Sequence, residues 1–66
     1  SEESAMNVDE LVGKTHEEAK AAAAAAGLRV RVASKDGRPL ILTADFRPDR
    51  VNLYVVDGRV TRAYYG

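Results

Sequence analysis

Residues 38–52 read RPLILTADFRPDRVN, and how this stretch is read decides the fold. It neither alternates cleanly as a strand nor repeats at a helical period. It opens on an apolar run, Leu40-Ile41-Leu42, and passes through Thr43-Ala44-Asp45. It closes on Arg47, Asp49 and Arg50, with Pro48 among them. Two readings are open. In one, the chain turns at Asp36-Gly37 and Pro39 to Thr43 adds a strand, so that Leu40, Ile41 and Leu42 fill the core. In the other, a long irregular loop joins two parallel strands. Pro39 weakens the first, because proline cannot donate to a ladder. A loop this long in a small domain is functional or disordered, and the apolar run argues against disorder.

The flanks are easier. Downstream, Arg50 to Val56 alternates, with Val51, Leu53 and Val55 on one face and Arg50 and Asn52 on the other. Asp57-Gly58 then predicts a tight hairpin turn into Arg59 to Tyr65. Upstream, Leu28-Arg29-Val30-Arg31-Val32-Ala33 alternates apolar and basic, the pattern of a strand with one wet face. Lys35-Asp36-Gly37 is a turn signal. Before it, a helix is expected from about Thr15 to Ala26. Thr15 and Glu18 fit a capping box, and Glu17 and Glu18 suit the positive end of the helix dipole. Ala21 to Ala26 has the highest helix propensity, and Gly27 suits the left-handed residue that ends a helix. An alanine helix has little grip of its own, so packing on a sheet must stabilise it. Val8, Leu11 and Val12 are the first core candidates, and Gly13 breaks the chain before the helix. Residues 1–7 are read as a flexible terminus and 8–66 as a single domain.

Bulk properties exclude several classes. A chain of 66 residues buries only roughly 60% of its unfolded surface, too little for a deep pocket. There are no cysteines, hence no disulfide and no thiolate metal site. Ten basic and ten acidic residues cancel, which argues against nucleic acid or an anionic membrane as partner. No apolar run approaches the ~18 residues of a membrane span. His16 stands alone, without a partner at metal-ligand spacing, and reads as a solvated surface residue. Adjacent carboxylates such as Asp9-Glu10 and Glu17-Glu18 do not face each other on a helix. Tyr54, Tyr64 and Tyr65 read as cover for the sheet. An enzyme is not expected, nor a cofactor or a metal.

Two segments carry a family resemblance. Leu11-Val12-Gly13-Lys14-Thr15-His16-Glu17-Glu18-Ala19-Lys20 resembles the opening of the potato inhibitor I family, which includes the barley chymotrypsin inhibitor and leech eglin. The peptidoglycan-binding repeats of bacterial kinases and penicillin-binding proteins open in much the same way. The second segment, Thr43-Ala44-Asp45-Phe46-Arg47-Pro48-Asp49-Arg50-Val51-Asn52-Leu53, is similar to the inhibitor family's reactive-site motif and closest to its bacterial branch. So is the ending, Gly58-Arg59-Val60-Thr61-Arg62, closing on Gly66. The likeness runs from about Leu11 to Gly66. It departs from the family in a longer front to the loop, a small residue at Ala44 and Tyr64 where an arginine is common.

The resemblance implies an α+β fold: one helix packed on a small mixed β-sheet, with an extended, exposed binding loop between two parallel strands and a β-hairpin at the end. It implies a serine protease inhibitor whose scissile bond is Ala44–Asp45. Ile41, Leu42, Thr43 and Ala44 would lie on the acyl side of the cut, and Asp45 and Phe46 on the amine side. Arg50 matches the family arginine that reaches from the scaffold to the loop, and Asn52 stands where a second such arginine occurs in plant and leech members.

These residue types suit the task. Arg50 carries five donors in a rigid fork, and Asn52 shares its face of the strand. Thr43 and Asp45 can accept hydrogen bonds beside the bond. Arg47 contacts the protease, braces the loop or faces solvent, and Pro48 stiffens the exit. A methyl at Ala44 suits small or shallow S1 pockets, and trypsin's wants a cation. Ile41 suits enzymes that favour apolar groups there. The expected partner is therefore a subtilisin-like or elastase-like serine protease. A monomer is expected, with a dimer as the alternative if the apolar run pairs. A secreted or periplasmic location would go with inhibition. The rival reading is a non-inhibitory protein- or peptidoglycan-binding module on the same scaffold.

Overall fold

Helix α1, His16–Ala25, begins as its sequence predicts. The Thr15 hydroxyl accepts from the Glu18 amide at 3.1 Å, and Glu18 accepts from the Thr15 amide at 2.9 Å. The bond from the Thr15 amide favours the charged carboxylate and, with a smaller contribution from the Thr15 side chain, holds Glu18 below its ordinary pKa. The helix buries Ala19 and Ala23. It ends where Gly27 takes the left-handed conformation, φ 78°.

The structure, a computed structural model, describes residues 7–66. The flexible terminus expected over 1–7 therefore falls outside the described residues except at Asn7. Its side chain accepts from the Asp9 amide at 3.0 Å and caps a short 3-10 turn, Val8–Leu11. Val8 and Leu11 enter the core. Val12, expected with them, is 45% exposed. The chain leaves the turn extended at Val12 and bends at Gly13, φ 91°, to run beside the last hairpin. There Gly13 donates to the Val60 carbonyl at 2.8 Å and Val60 donates to Lys14 at 2.9 Å.

Four strands form one sheet: β1 Arg29–Lys35, β2 Arg38–Pro39, β3 Arg50–Val56 and β4 Arg59–Tyr65. Their spatial order is β2-β1-β3-β4. β1 and β3 are parallel and the other pairs antiparallel, so the sheet is mixed and the fold is α+β. Asp36-Gly37 and Asp57-Gly58 both turn with two successive positive φ values. Asp-Gly suits such turns because glycine pays no Cβ penalty and aspartate tolerates the left-handed region.

The stretch that divided the two readings contains a piece of each. The chain does turn at Asp36-Gly37 and pair back on β1, but the added strand stops at Pro39 rather than Thr43. The apolar run does not fill the core. That core is Val51, Leu53 and Val55 from β3, Val60 and Ala63 from β4, Ala19, Val8 and Leu11. Leu28, Val30, Val32 and Tyr65 pack against it. Among the described residues no helix is long and apolar enough to cross a membrane.

Candidate functional site

From Leu40 to Asp49 the chain is neither helix nor strand. Thr43, Ala44 and Asp45 are exposed, and so are Ile41 and Phe46, the latter at 70%. Leu42 is half-buried. The loop is tied at both ends. At its start the Leu40 amide donates to Ala33 at 3.0 Å. At its end the Arg50 amide donates to Arg47 at 3.2 Å across a turn at Pro48-Asp49, and the Arg29 amide donates to Asp49 at 2.8 Å. Proline's fixed φ stiffens that turn.

Beneath the loop lies the face of the sheet turned away from the core. Strand alternation puts Arg31 of β1 and Arg50 and Asn52 of β3 there, opposite Val30, Val51 and Leu53. Arg50 is largely enclosed, its side chain 13% exposed. Its Nη2 donates to the Asp45 carbonyl at 2.8 Å and its Nε to the Gly66 carbonyl at 2.9 Å. The same Nη2 lies 3.6 Å from the Asp45 carboxylate. Arg47 donates from Nε to the other Asp45 oxygen at 2.8 Å. The Thr43 hydroxyl donates to the Asp45 carboxylate, spanning the Ala44 backbone. Arg31 then donates from Nη1 to the Thr43 hydroxyl oxygen at 3.1 Å.

The electrostatics follow from those contacts. The Thr43 hydroxyl, then the Arg47 guanidinium, hold the Asp45 carboxyl well below the ordinary carboxylate range, with Arg50 adding a smaller attraction. Asp45 in turn raises Arg47. Both groups are well exposed, so the pairs add little to global stability. Their value is directional: they orient the carboxylate and the backbone that carries it.

Of the residues singled out from sequence, Thr43, Asp45, Arg47 and Arg50 come together. Asn52 is placed differently from expectation. It is 2% exposed and does not brace the loop directly. Its Oδ1 accepts from Arg31 Nε at 2.7 Å, so it holds the residue that holds Thr43. Arg31 was read only as part of a wet alternating face. Its role depends on the parallel register, which sets Arg31 beside Asn52 and Arg29 beside Arg50. Gly66 was a further omission. Its carbonyl accepts from Arg50 and, at 3.3 Å, from the Arg47 amide, and its own amide donates to the Arg50 carbonyl at 3.0 Å. With φ 154° it has a glycine's conformation, and a Cβ there would lie 3.0 Å from Asn52 Nδ2 and 3.8 Å from the Phe46 ring. No residue pattern announces such a seat.

Arg38 and Arg47, the arginines at the two ends of the exposed stretch, are each followed by a proline. A groove of about 320 Å³ lined by His16, Val32, Lys35, Leu40, Val55 and Gly58 shares only Leu40 with the loop. Among the described residues no His, Cys, Asp or Glu cluster could hold a metal ion. The chain matches neither a family model nor a curated protein.

Proposed function

We propose that this protein is a serine protease inhibitor that offers residues 41–46 as a braced, substrate-like loop cut, if at all, between Ala44 and Asp45. The observation that carries the reading is the Arg50 bond to the Asp45 carbonyl, 2.8 Å long, beneath an exposed Thr43–Asp45 segment. A protease must order an extended segment to attack it, at roughly 1–2 kcal/mol per backbone residue. A loop already held avoids most of that cost, so binding tightens through preorganisation. Attack by the protease serine would form an acyl-enzyme and free the Asp45 amine. Here Arg50, Arg47 and Gly66 keep that amine's residue in place, so it can attack the acyl carbon and restore the peptide bond. The likeness to potato inhibitor I, with its T-A-D-F-R-P-D-R-V-N-L segment, supports the same reading.

The small Ala44 side chain favours shallow S1 pockets, and the fully exposed Ile41 offers an apolar group to a further subsite. The partner is a subtilisin-like or elastase-like enzyme. The test is titration against subtilisin, elastase and trypsin, with mass spectrometry of the products. Inhibition of the first two, with one slow cut after Ala44, is expected. Equal slow cleavage by all three without tight binding, or retention on peptidoglycan in place of inhibition, would overturn the proposal. Trypsin resistance alone proves little, because proline after Arg38 and Arg47 already disfavours cleavage there. Ala44→Lys removes that ambiguity: it should create a trypsin inhibitor.

A further inference from the structure

We infer that Arg31 is a positioning residue for the acyl side of the loop, supplying from the neighbouring parallel strand a contact to Thr43 that Asn52, itself bonded to Arg31, does not make. A cut between Ala44 and Asp45 would sort the braces. Thr43 and Arg31 would stay on the amino-terminal piece, with β1. Asp45, Arg47, Arg50 and Gly66 would stay on the carboxy-terminal piece, with β3 and β4. Each new end is thus held by a guanidinium of its own piece: Thr43 by Arg31 at 3.1 Å, and Asp45 by Arg50 at 2.8 Å.

Besides the strand pairing and the Arg29–Asp49 contacts at the loop's exit, two side-chain bonds cross between the pieces beneath the loop. One joins the Thr43 hydroxyl to the Asp45 carboxylate. The other joins Arg31 Nε to Asn52 Oδ1 at 2.7 Å, and it is the more sheltered, since Asn52 is buried. It sets the two braces against each other, and the β1–β3 pairing carries both. Asn52's side chain is engaged by Arg31, whereas the Arg31 fork serves two acceptors, Asn52 and Thr43, from one rigid plane. A lysine has the charge without the fork, so it can satisfy Asn52 or Thr43 but not hold the angle between them.

The consequence for chemistry rests on the inhibitor reading. On cleavage the serine oxygen bonds to the Ala44 carbonyl carbon, the carbon–nitrogen bond breaks and the Asp45 nitrogen gains a proton. In the reverse step that amine attacks the same carbon and the serine regains its hydroxyl. Arg31 keeps the acyl end from swinging away during that interval, as Arg50 keeps the amine end.

The experiment compares the unaltered protein with Arg31→Met and Arg31→Lys. The first readout needs no protease: backbone NMR order of the loop in the free protein. In both variants the amides of Leu42 to Ala44 should fall from order parameters of about 0.85 towards 0.6 or below, while those of β3 and α1 stay put. Unchanged loop order in Arg31→Lys, which keeps stem and charge, overturns the inference whatever the protein inhibits. The second readout is the ratio of cleaved to intact protein at equilibrium with catalytic subtilisin. It should shift roughly tenfold towards cleaved in Arg31→Met, the scale of one charge-assisted bond. If loop order falls but no variant, nor the unaltered protein, inhibits any protease, the positioning role stands and the inhibitor reading fails. If the unaltered protein inhibits and the ratio does not move, Arg31 has no part in resealing the bond.

Discussion

The two faces of the sheet are held by different forces, and β3 contributes to both. On one face Val51, Leu53 and Val55 meet Leu11, Ala19 and Val60. That contact is non-directional and worth about 25 cal/mol per Å² of apolar surface removed from water. On the other face Arg50 and Asn52, with Arg31 alongside, meet the loop and Gly66 through directed hydrogen bonds. The exposed bonds, Arg31–Thr43 and Arg50–Asp45, are worth about 0–1 kcal/mol each, and the part-buried ones, Arg31–Asn52 and Arg50–Gly66, about 1.5–3 kcal/mol each. So the face that stabilises the molecule most says little about where the loop stands, and the face that positions the loop contributes less to stability, through a few directed bonds. Alternation along a single strand keeps the two tasks apart.

The separation can be broken from either side. Leu53→Ala attacks the core and should cost about 2–5 kcal/mol. A chain of this size has roughly 3–10 kcal/mol in total. Urea unfolding would measure it, and a loss below about 1 kcal/mol would mean that the core lies elsewhere. Arg50→Ala attacks the other face. Its stability should fall by about 1.5–3 kcal/mol, the share of its part-buried bond to Gly66, and, on the proposed inhibitor reading, inhibition weakens about 10–100-fold and cleavage after Ala44 speeds up. Unchanged inhibition and cleavage constants would remove Arg50 from the bracing.

Gly66→Ala sharpens the boundary between the faces. Its Cβ meets Asn52 at 3.0 Å in a glycine backbone conformation. The expected cost is about 1 kcal/mol, the low end for a strained residue because the strand's end can give. Loop amide shifts at Asp45 and Arg47 should report it; shifts confined to β4 would count against the seat.

The smallest effect is that of pH. The folded pKa of Asp45 lies below its unfolded value of about 3.9. Its contribution is therefore complete above about pH 4 and is lost as pH falls through the lower folded value. Loop shifts at Asp45 should stay flat from pH 8 down through about pH 4, the ordinary carboxylate value, and move only at lower pH still. A midpoint at an ordinary carboxylate pKa would show that the Thr43 and Arg47 contacts are absent in solution.

The frame was legible because its signals are local. Thr15 and Glu18 lie within one turn of each other, Asp36-Gly37 and Asp57-Gly58 carry their own backbone preference, and Val51-Leu53-Val55 shows its face by alternation. Alternation set Arg50 on the face opposite Val51, Leu53 and Val55, but it was the resemblance to the inhibitor family that placed it under the loop. The rest needed distance in sequence to become closeness in space. Arg31 meets Asn52 only once β1 and β3 are set parallel in register, and no property of either residue states that register. Asn52 was expected to touch the loop from its face, yet its short amide meets Arg31 first. Pro39 correctly argued against a long added strand, but its place at the sheet edge let a short one form.

The loop's side chains divide as the sheet's do. Thr43 and Asp45 are spoken for by the frame, whereas Ile41, Ala44 and Phe46 project into solvent. A change at Ile41 or Ala44 leaves the frame's hydrogen bonds untouched, and Phe46 has only the Gly66 seat beside it. If the loop is the protease-binding segment proposed above, a single codon there changes the preference while the frame keeps its shape.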